Sequence, residues 1–515
     1  MALHRQRLRL ALAVMVAAAL ACVLMGALVW APGATAAPLI APIENAKVTS
    51  FDGTQLDVNF YPAQGLTQGQ TAPTVLEGSF WGLPAYSSLI GTVGAIGVES
   101  FEIDAELLGP ATLTADGYNV VTWDSRGWYA SGGQVEDDSP SYEGRDVTAI
   151  INWLATLPGA QLKGADDPVV GMTGFSYGGG VQLSAAAVDH RLAAIEPNMS
   201  WYSLAEALYP NQVVKAGWGA ILCGLGDAVG ARYAPELSTS CNAVLTGQVP
   251  ASAAAFEEAA SPGPVMKQIT TPTLLLAGTV DTLFPLAGDV RTYDALHAAG
   301  TPVKMMWYCG GHGICDQSVG AAGHVTEAEL TFLNKYLKGQ NVSTGSGFEY
   351  LDQTGTWRSA SAYPVASTGK VTASGGGTLG ISPLDSSGLL GVEATRALNA
   401  VNIAVSPPSS SVETLEAPQL TLTYSGLATK TSTPIVAQLV ESSTGTVLDN
   451  QATVIPLTLN GLSHTVTVPL NLVTWNLTPS SKITLQLTDA SDLFYPQQAT
   501  GVVSLQAKLT LPTSP

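Results

Sequence analysis

Charge is scarce in this sequence. Asp, Glu, Lys and Arg make up only 12% of its 515 residues, against 46% apolar. A chain so poor in charge and so rich in apolar residues buries a core, which excludes an intrinsically disordered protein. Basic residues are scarcer still: 21 Lys and Arg stand against 40 Asp and Glu, a formal charge of −19. Such a surface repels phosphate backbones and anionic lipid, so neither nucleic acid nor a membrane surface is an expected partner. Cysteine is rare, five residues in all. No CxxC pair occurs among them, which speaks against a structural zinc site. No internal repeat is visible, which argues against a solenoid or propeller.

What is present begins at the N-terminus. Arg5, Arg7 and Arg9 precede an apolar run from Leu10 to Trp30, and Ala34-Thr35-Ala36 offers small residues for cleavage. That order predicts a secretory signal over 1–36 and an extracellular, or envelope-associated, mature protein. The run is long enough to span a bilayer, so an uncleaved anchor is the rival reading. Cys22 lies inside this segment. The other four, Cys223, Cys241, Cys309 and Cys315, can form two disulfides in an exported chain. Proximity favours pairing 223 with 241 and 309 with 315.

The length calls for two or three domains. From 41 to 340 strands and helices alternate, the mark of a mostly parallel sheet covered on both faces. Tyr118–Trp123, Pro168–Thr173, Thr273–Ala277 and Val303–Tyr308 read as strands. Asp146–Leu157 and Gly178–His190 read as helices, and Thr326 with Glu329 as a capping box opening a last one. The rhythm breaks over about 201–264, read as a helical cap inserted above the sheet. After 341 the runs alternate apolar with polar, as in Gln419–Tyr424 and Lys482–Leu487, and predict a C-terminal β-sandwich to 515.

The chemistry centres on Gly174-Phe175-Ser176-Tyr177-Gly178. An apolar strand runs into this G-x-S-x-G pattern and a helix of small residues runs out. A serine there sits on a sharp strand-to-helix turn with its hydroxyl above the sheet. A hydroxyl needs a base. Of six histidines, His312 follows a strand within a glycine-rich loop, Cys309-Gly310-Gly311-His312-Gly313; His324 is the alternative. The acid belongs between serine and histidine in the chain, and Asp281 closes Leu276-Ala277-Gly278-Thr279-Val280-Asp281 just past a strand. The oxyanion donors expected are the amides of Tyr177 and of Phe80 or Ser79, in the loop Glu77-Gly78-Ser79-Phe80-Trp81-Gly82.

These residues sit among others that resemble the Xaa-Pro dipeptidyl-peptidase and cocaine-esterase family of α/β-hydrolases. Ser50-Phe51-Asp52-Gly53-Thr54-Gln55-Leu56 is similar to its opening hairpin. Asp124-Ser125-Arg126-Gly127 through Gly133 is similar to its D-x-RG-x-G-x-S-x-G loop, with Tyr129 standing where that loop has glycine. Asp146 through Trp153 is similar to the helix before its nucleophile, and Tyr350 through Trp357 to the start of its C-terminal jelly-roll domain. The resemblance implies the α/β-hydrolase fold and acyl hydrolysis without metal or organic cofactor.

The sequence thus predicts a secreted serine hydrolase that cuts an ester or an Xaa-Pro peptide bond through an acyl-enzyme. Its expected substrate is a small acyl ester or short peptide. A carboxylesterase or lipase is the alternative enzyme. A non-catalytic carbohydrate- or wall-binding protein is the alternative outside catalysis. Nothing in the sequence fixes the oligomeric state.

Overall fold

Strand order explains how the site is assembled. The computed structural model describes residues 37–85, 108–313, 315, 317–384 and 391–515. The N-terminal basic and apolar segment, with Ala34-Thr35-Ala36, lies outside the described residues. An antiparallel hairpin, β1 (Ile43–Thr49) and β2 (Gln55–Tyr61), starts the main sheet. The parallel strands follow: β3 (Thr74–Gly78), β4 (Asn119–Asp124), β5 (Val170–Phe175), β6 (Leu192–Asn198), β7 (Thr273–Gly278) and β8 (Val303–Tyr308). β9 (Phe348–Leu351) pairs parallel to β8, and β10 (Trp357–Ala360) closes the edge antiparallel. Among the described residues the order is 1-2-4-3-5-6-7-8-9-10.

Successive strand residues face opposite sides, so both faces need cover. Val121, Met172, Ile195 and Leu275 face a core built with α2 (Glu143–Leu154), α3 (Tyr177–Val188) and α8 (Leu286–Ala299). Val75, Val120, Leu274 and Leu276 face the opposite core, with α1 (Pro110–Ala115) and α9 (His324–Tyr336). The helix predicted from Asp146 starts three residues earlier, so Glu143 and Asp146 share the first turn of α2. The capping box does not open α9. Gly323, at φ 83°, turns the chain into the helix already at His324, and Glu329 sits buried near Glu77 and Glu196 rather than at a helix start.

Between β6 and β7 the chain makes the expected helical insertion: α4 (Leu204–Leu208), α5 (Ala216–Val229), α6 (Pro235–Thr246) and α7 (Ala251–Ala260). A disulfide joins Cys223 of α5 to Cys241 of α6.

The C-terminal sheet is antiparallel: β11 (Gly369–Ile381), β12 (Ala400–Ala404), β13 (Gln419–Glu441), β14 (Val447–Pro469), β15 (Ile483–Thr488) and β16 (Gly501–Thr513). β13 and β14 each run 23 residues. β13 pairs with β16 through its first half and with β15 through its second, so the sheet curls around its own apolar core. Register shifts near Ser425 and Leu427 let so long a strand bend.

Candidate active site

The nucleophile elbow is where backbone and packing constrain each other most tightly. Ser176 follows β5 directly and caps α3 at φ 55°, ψ −120°, a conformation that L-residues rarely adopt. It persists because the surroundings leave no alternative. A Cβ on Gly178 would lie 2.5 Å from the Gly78 carbonyl oxygen, and one on Gly179 would lie 2.4 Å from that of Asn198. The Ser176 amide donates to the Asn198 carbonyl at 2.9 Å, and Asn198 accepts the Tyr308 hydroxyl at 2.7 Å. The elbow is thus wedged between β3 and β6.

His312 and Asp281 meet this serine. The His312 Nε2 lies 2.8 Å from Ser176 Oγ, and its Nδ1 lies 2.7 Å from Asp281 Oδ2. With the carboxylate ionised, Nδ1–H donates to it and Nε2 is left to accept the serine proton. Asp281 is fully buried, and its Oδ1 accepts the amides of Leu283 and Phe284 at 2.8 and 2.7 Å. Phe284 and Trp218 stand edge-on to the imidazole, with ring centroids 5.1 and 5.7 Å away. The loop carrying His312 is closed by a disulfide from Cys309 to Cys315. His324 is elsewhere: its Nε2 is 3.1 Å from Glu349 and its ring packs on Trp357.

Tyr177 is the first residue of α3, where an amide has no acceptor within its own helix. The loop after β3 divides its aromatics. The Phe80 ring packs against Phe175, with centroids 3.7 Å apart. Trp81 instead lines the cavity beside Ser176 and donates its indole N–H to the Leu222 carbonyl of α5 at 2.8 Å. The Tyr129 hydroxyl donates to the Gly82 carbonyl at 2.6 Å and ties down the same loop. Tyr129 itself holds φ 36°, a left-handed conformation that glycine adopts more readily.

A mostly apolar cavity opens next to Ser176, bounded by Tyr177, Trp201 and Phe284 and by Leu222, Val244, Cys223 and Cys241 of the cap. Two buried carboxyls, Asp137 and Glu257, also line it. Burial pushes both above the usual carboxylate range; Glu257 drives Asp137 further up, while hydrogen bonds to Asp137 and Ser240 draw Glu257 part of the way back. Asp137 and Asp138 are both left-handed, at φ 53° and 58°, which places strain in the wall of the cavity. Lys215, at the start of α5, lines it as well. Its amine donates to the carbonyls of Thr282 and Leu283 at 2.7 and 2.9 Å, and burial pulls it down to about 7.

Three of the motifs that carried the family resemblance, those at 50–56, 124–133 and 146–153, meet around Arg126. Arg126 grips Asp146 with two bonds of 2.7 Å and reaches Asp52 at 3.1 Å, all but the last buried. The Gly132 amide donates to the Gln55 carbonyl at 2.7 Å. These residues brace the loop after β4. Trp81 and Lys215 escaped the sequence reading. Lys215 left one trace: the insertion over 201–264 holds only two basic residues, Lys215 and Arg232, and Lys215 sits between Val214 and Ala216.

Among the described residues, no group of acidic, histidine or cysteine side chains could hold a metal ion, and no helix is long and apolar enough to cross a membrane.

Similarity to known proteins follows the same lines. The fold matches a CocE/NonD family hydrolase from Staphylococcus aureus over 92% of this chain and 93% of that one, at 14% identity and a TM-score of 0.65. It matches an aminopeptidase from a marine-sediment Thaumarchaeota archaeon over 95% and 99%, at 12% identity and a TM-score of 0.69. An α-amino acid ester hydrolase matches over 94% and 98%, at 14% identity and a TM-score of 0.67. These share the α/β-hydrolase fold with its C-terminal antiparallel domain. An uncharacterized 31.7 kDa protein of Escherichia coli is 31% identical over 89 residues, which span 29% of its length. The sequence profile of the X-Pro dipeptidyl-peptidase (S15) family matches residues 52–314, just over half of the chain, and by that match the chain belongs to this family of hydrolases.

Proposed function

We propose that this chain is an exported serine hydrolase that cleaves an ester or an Xaa-Pro amide by way of an acyl-enzyme. The observation that carries the reading is the unbroken relay from Ser176 through His312 to Asp281, with links of 2.8 and 2.7 Å, opening onto a cavity.

In this mechanism the Ser176 Oγ attacks the substrate carbonyl carbon while the His312 Nε2 takes its proton. Asp281 stabilises the imidazolium, and the Tyr177 amide with a second donor, the amide of Phe80 or Ser79, receives the oxyanion. Collapse of the tetrahedral intermediate expels the alcohol or amine, which takes its proton from His312. Water, deprotonated by His312, then releases the acid and restores the serine. The apolar lining from the cap suits an apolar acyl group. Asp137 and Glu257 favour the peptide reading: both are buried in the cavity wall and lie above the usual carboxylate range, and a substrate ammonium beside them would favour their ionised forms.

Export is supported by the N-terminal pattern of Arg5 to Ala36 and by two disulfides, which persist outside the cytosol. The test is labelling with a fluorophosphonate, followed by turnover of Ala-Pro amides against short acyl esters. Wild-type protein should label at Ser176 and Ser176→Ala should not. Loss of turnover in that variant should be on the order of a thousandfold or more. Full turnover by purified Ser176→Ala would end the serine-hydrolase reading. Faster cleavage of acyl esters than of any Ala-Pro amide would assign a carboxylesterase instead.

A further inference from the structure

The carbonyls of the acid turn are held by side chains from outside the hydrolase sheet. Lys215 of the cap takes those of Thr282 and Leu283. Those of Thr279 and Asp281 are taken by the C-terminal domain: the Gln451 Nε2 donates to Asp281 O at 2.9 Å and to Thr279 O at 3.3 Å. Gln451 lies in β14, 170 residues further along the chain. Its own carbonyl oxygen accepts from Asn471 Nδ2 at 3.1 Å, which fixes the amide the right way round. It is 4% exposed, so no water replaces these bonds freely.

The two residues before it extend the contact to the base. Asp449 and Asn450 are both left-handed, at φ 46° and 58°, a kink that regular β-strand does not contain. The Asp449 carboxylate accepts from Gln317 Nε2 at 3.0 Å, just past the loop closed by Cys309 and Cys315. The Asn450 amide nitrogen lies 3.1 Å from where a Cβ on Gly313 would stand, next to His312. Residues Leu39–Pro515 form one compact unit, so this contact belongs to the folded body.

We infer that Gln451 is a positioning residue for the reaction: the C-terminal domain, through Asp449-Asn450-Gln451, sets the angle at which Asp281 presents its carboxylate to His312. The inference rests on the serine-hydrolase reading. A base misplaced by about an ångström costs on the order of a hundredfold in rate, so a partial loosening is measurable.

The test uses full-length protein and three variants. Gln451→Met keeps the length and removes both donors. Asn471→Ala leaves Gln451 in place but unlocks its orientation. Asn211→Ala is the control, because Asn211 makes a comparable bond between cap and C-terminal domain, to the Val454 carbonyl at 2.8 Å, outside the acid turn. Gln451→Met should lower kcat about tenfold with KM within about twofold, and should slow fluorophosphonate labelling of Ser176 in parallel. Asn471→Ala should move both in the same direction by about threefold, and Asn211→Ala should move neither. Should Gln451→Met fail to fold, the Asn471→Ala result decides. Unchanged kcat in both Gln451→Met and Asn471→Ala would overturn the inference. So would losses matched by Asn211→Ala and explained by a fall in Tm. Failure of the wild-type protein to label would instead overturn the hydrolase reading itself.

Discussion

Ser176 and His312 reach the same point by different means. The serine is placed by its own sheet: β3 and β6 wedge the elbow, glycine against carbonyl, and every contact that fixes it is made within the hydrolase core. The histidine and its aspartate ride on two loops braced by a disulfide, by Lys215 of the cap and by Gln451 of the C-terminal domain. The first arrangement is a property of one fold. The second is assembled from three parts of the chain, whose side chains meet at the acid turn and the histidine loop.

The comparison is broken most directly at the base. His312→Ala should cost on the order of a thousandfold in kcat/KM, while His324→Ala, paired with Glu349 well away from the relay, should stay within about threefold. Equal losses in steady-state turnover would mean that the two histidines had been given the wrong roles.

On the serine side, Gly179→Ala should disturb the elbow alone. Its new Cβ would stand 2.4 Å from backbone, where nothing flexible can give way. Overpacking of this kind costs roughly 1–3 kcal/mol, so a lower urea midpoint should accompany a severe loss of turnover. A variant that kept full stability and activity would show that the elbow has slack the packing does not admit.

On the histidine side, replacing Cys309 and Cys315 by serine should lower kcat about tenfold while the main transition in Tm moves by only a few degrees. Mild reductant should act likewise on the wild-type protein, with activity falling before the fold does. Peptide mapping that found the 309 and 315 thiols free in the active, oxidised enzyme would remove the brace from the comparison.

The last prediction is read in stability rather than turnover and concerns Lys215. Its amine is drawn down to about 7 in the folded protein, below the ordinary value of about 10.4 that the unfolded chain keeps. Between those values the unfolded chain holds the extra proton, so stability should rise with pH across roughly 7 to 10 and lose that increment below 7. Lys215→Met has no such group, and its urea midpoint should lack this rise. Parallel curves for the two proteins would show that Lys215 is charged in the native state.

The relay was legible because each member carries a local signature. Ser176 has its glycines and its strand-to-helix setting, Asp281 and His312 each follow an apolar strand, and the chain order of the three is the one the sheet demands. The two disulfides were legible from spacing alone. Trp81, Lys215 and Gln451 were not. Each matters through a partner far along the chain: Leu222 for Trp81, Thr282 for Lys215, Asp281 for Gln451. No window of sequence contains both ends of such a contact. The alternation after 341 revealed strands and their faces but not their length, since β13 and β14 change partners midway and bend at irregularities that periodicity does not mark.

Both halves of the Cys223–Cys241 cystine face the cavity beside Ser176. A wall made of a covalent bond works as a ruler: α5 and α6 cannot spread at that point to admit a bulkier guest, as two helices held by packing alone could. The width of the cavity on that side is therefore set when the disulfide forms. Gly219, one turn before Cys223, marks the same edge, where an added methyl group would meet Val244 at 2.3 Å. Under the proposed acyl chemistry, these two positions are where a protein engineer would begin to change the size of the guest, leaving the relay untouched.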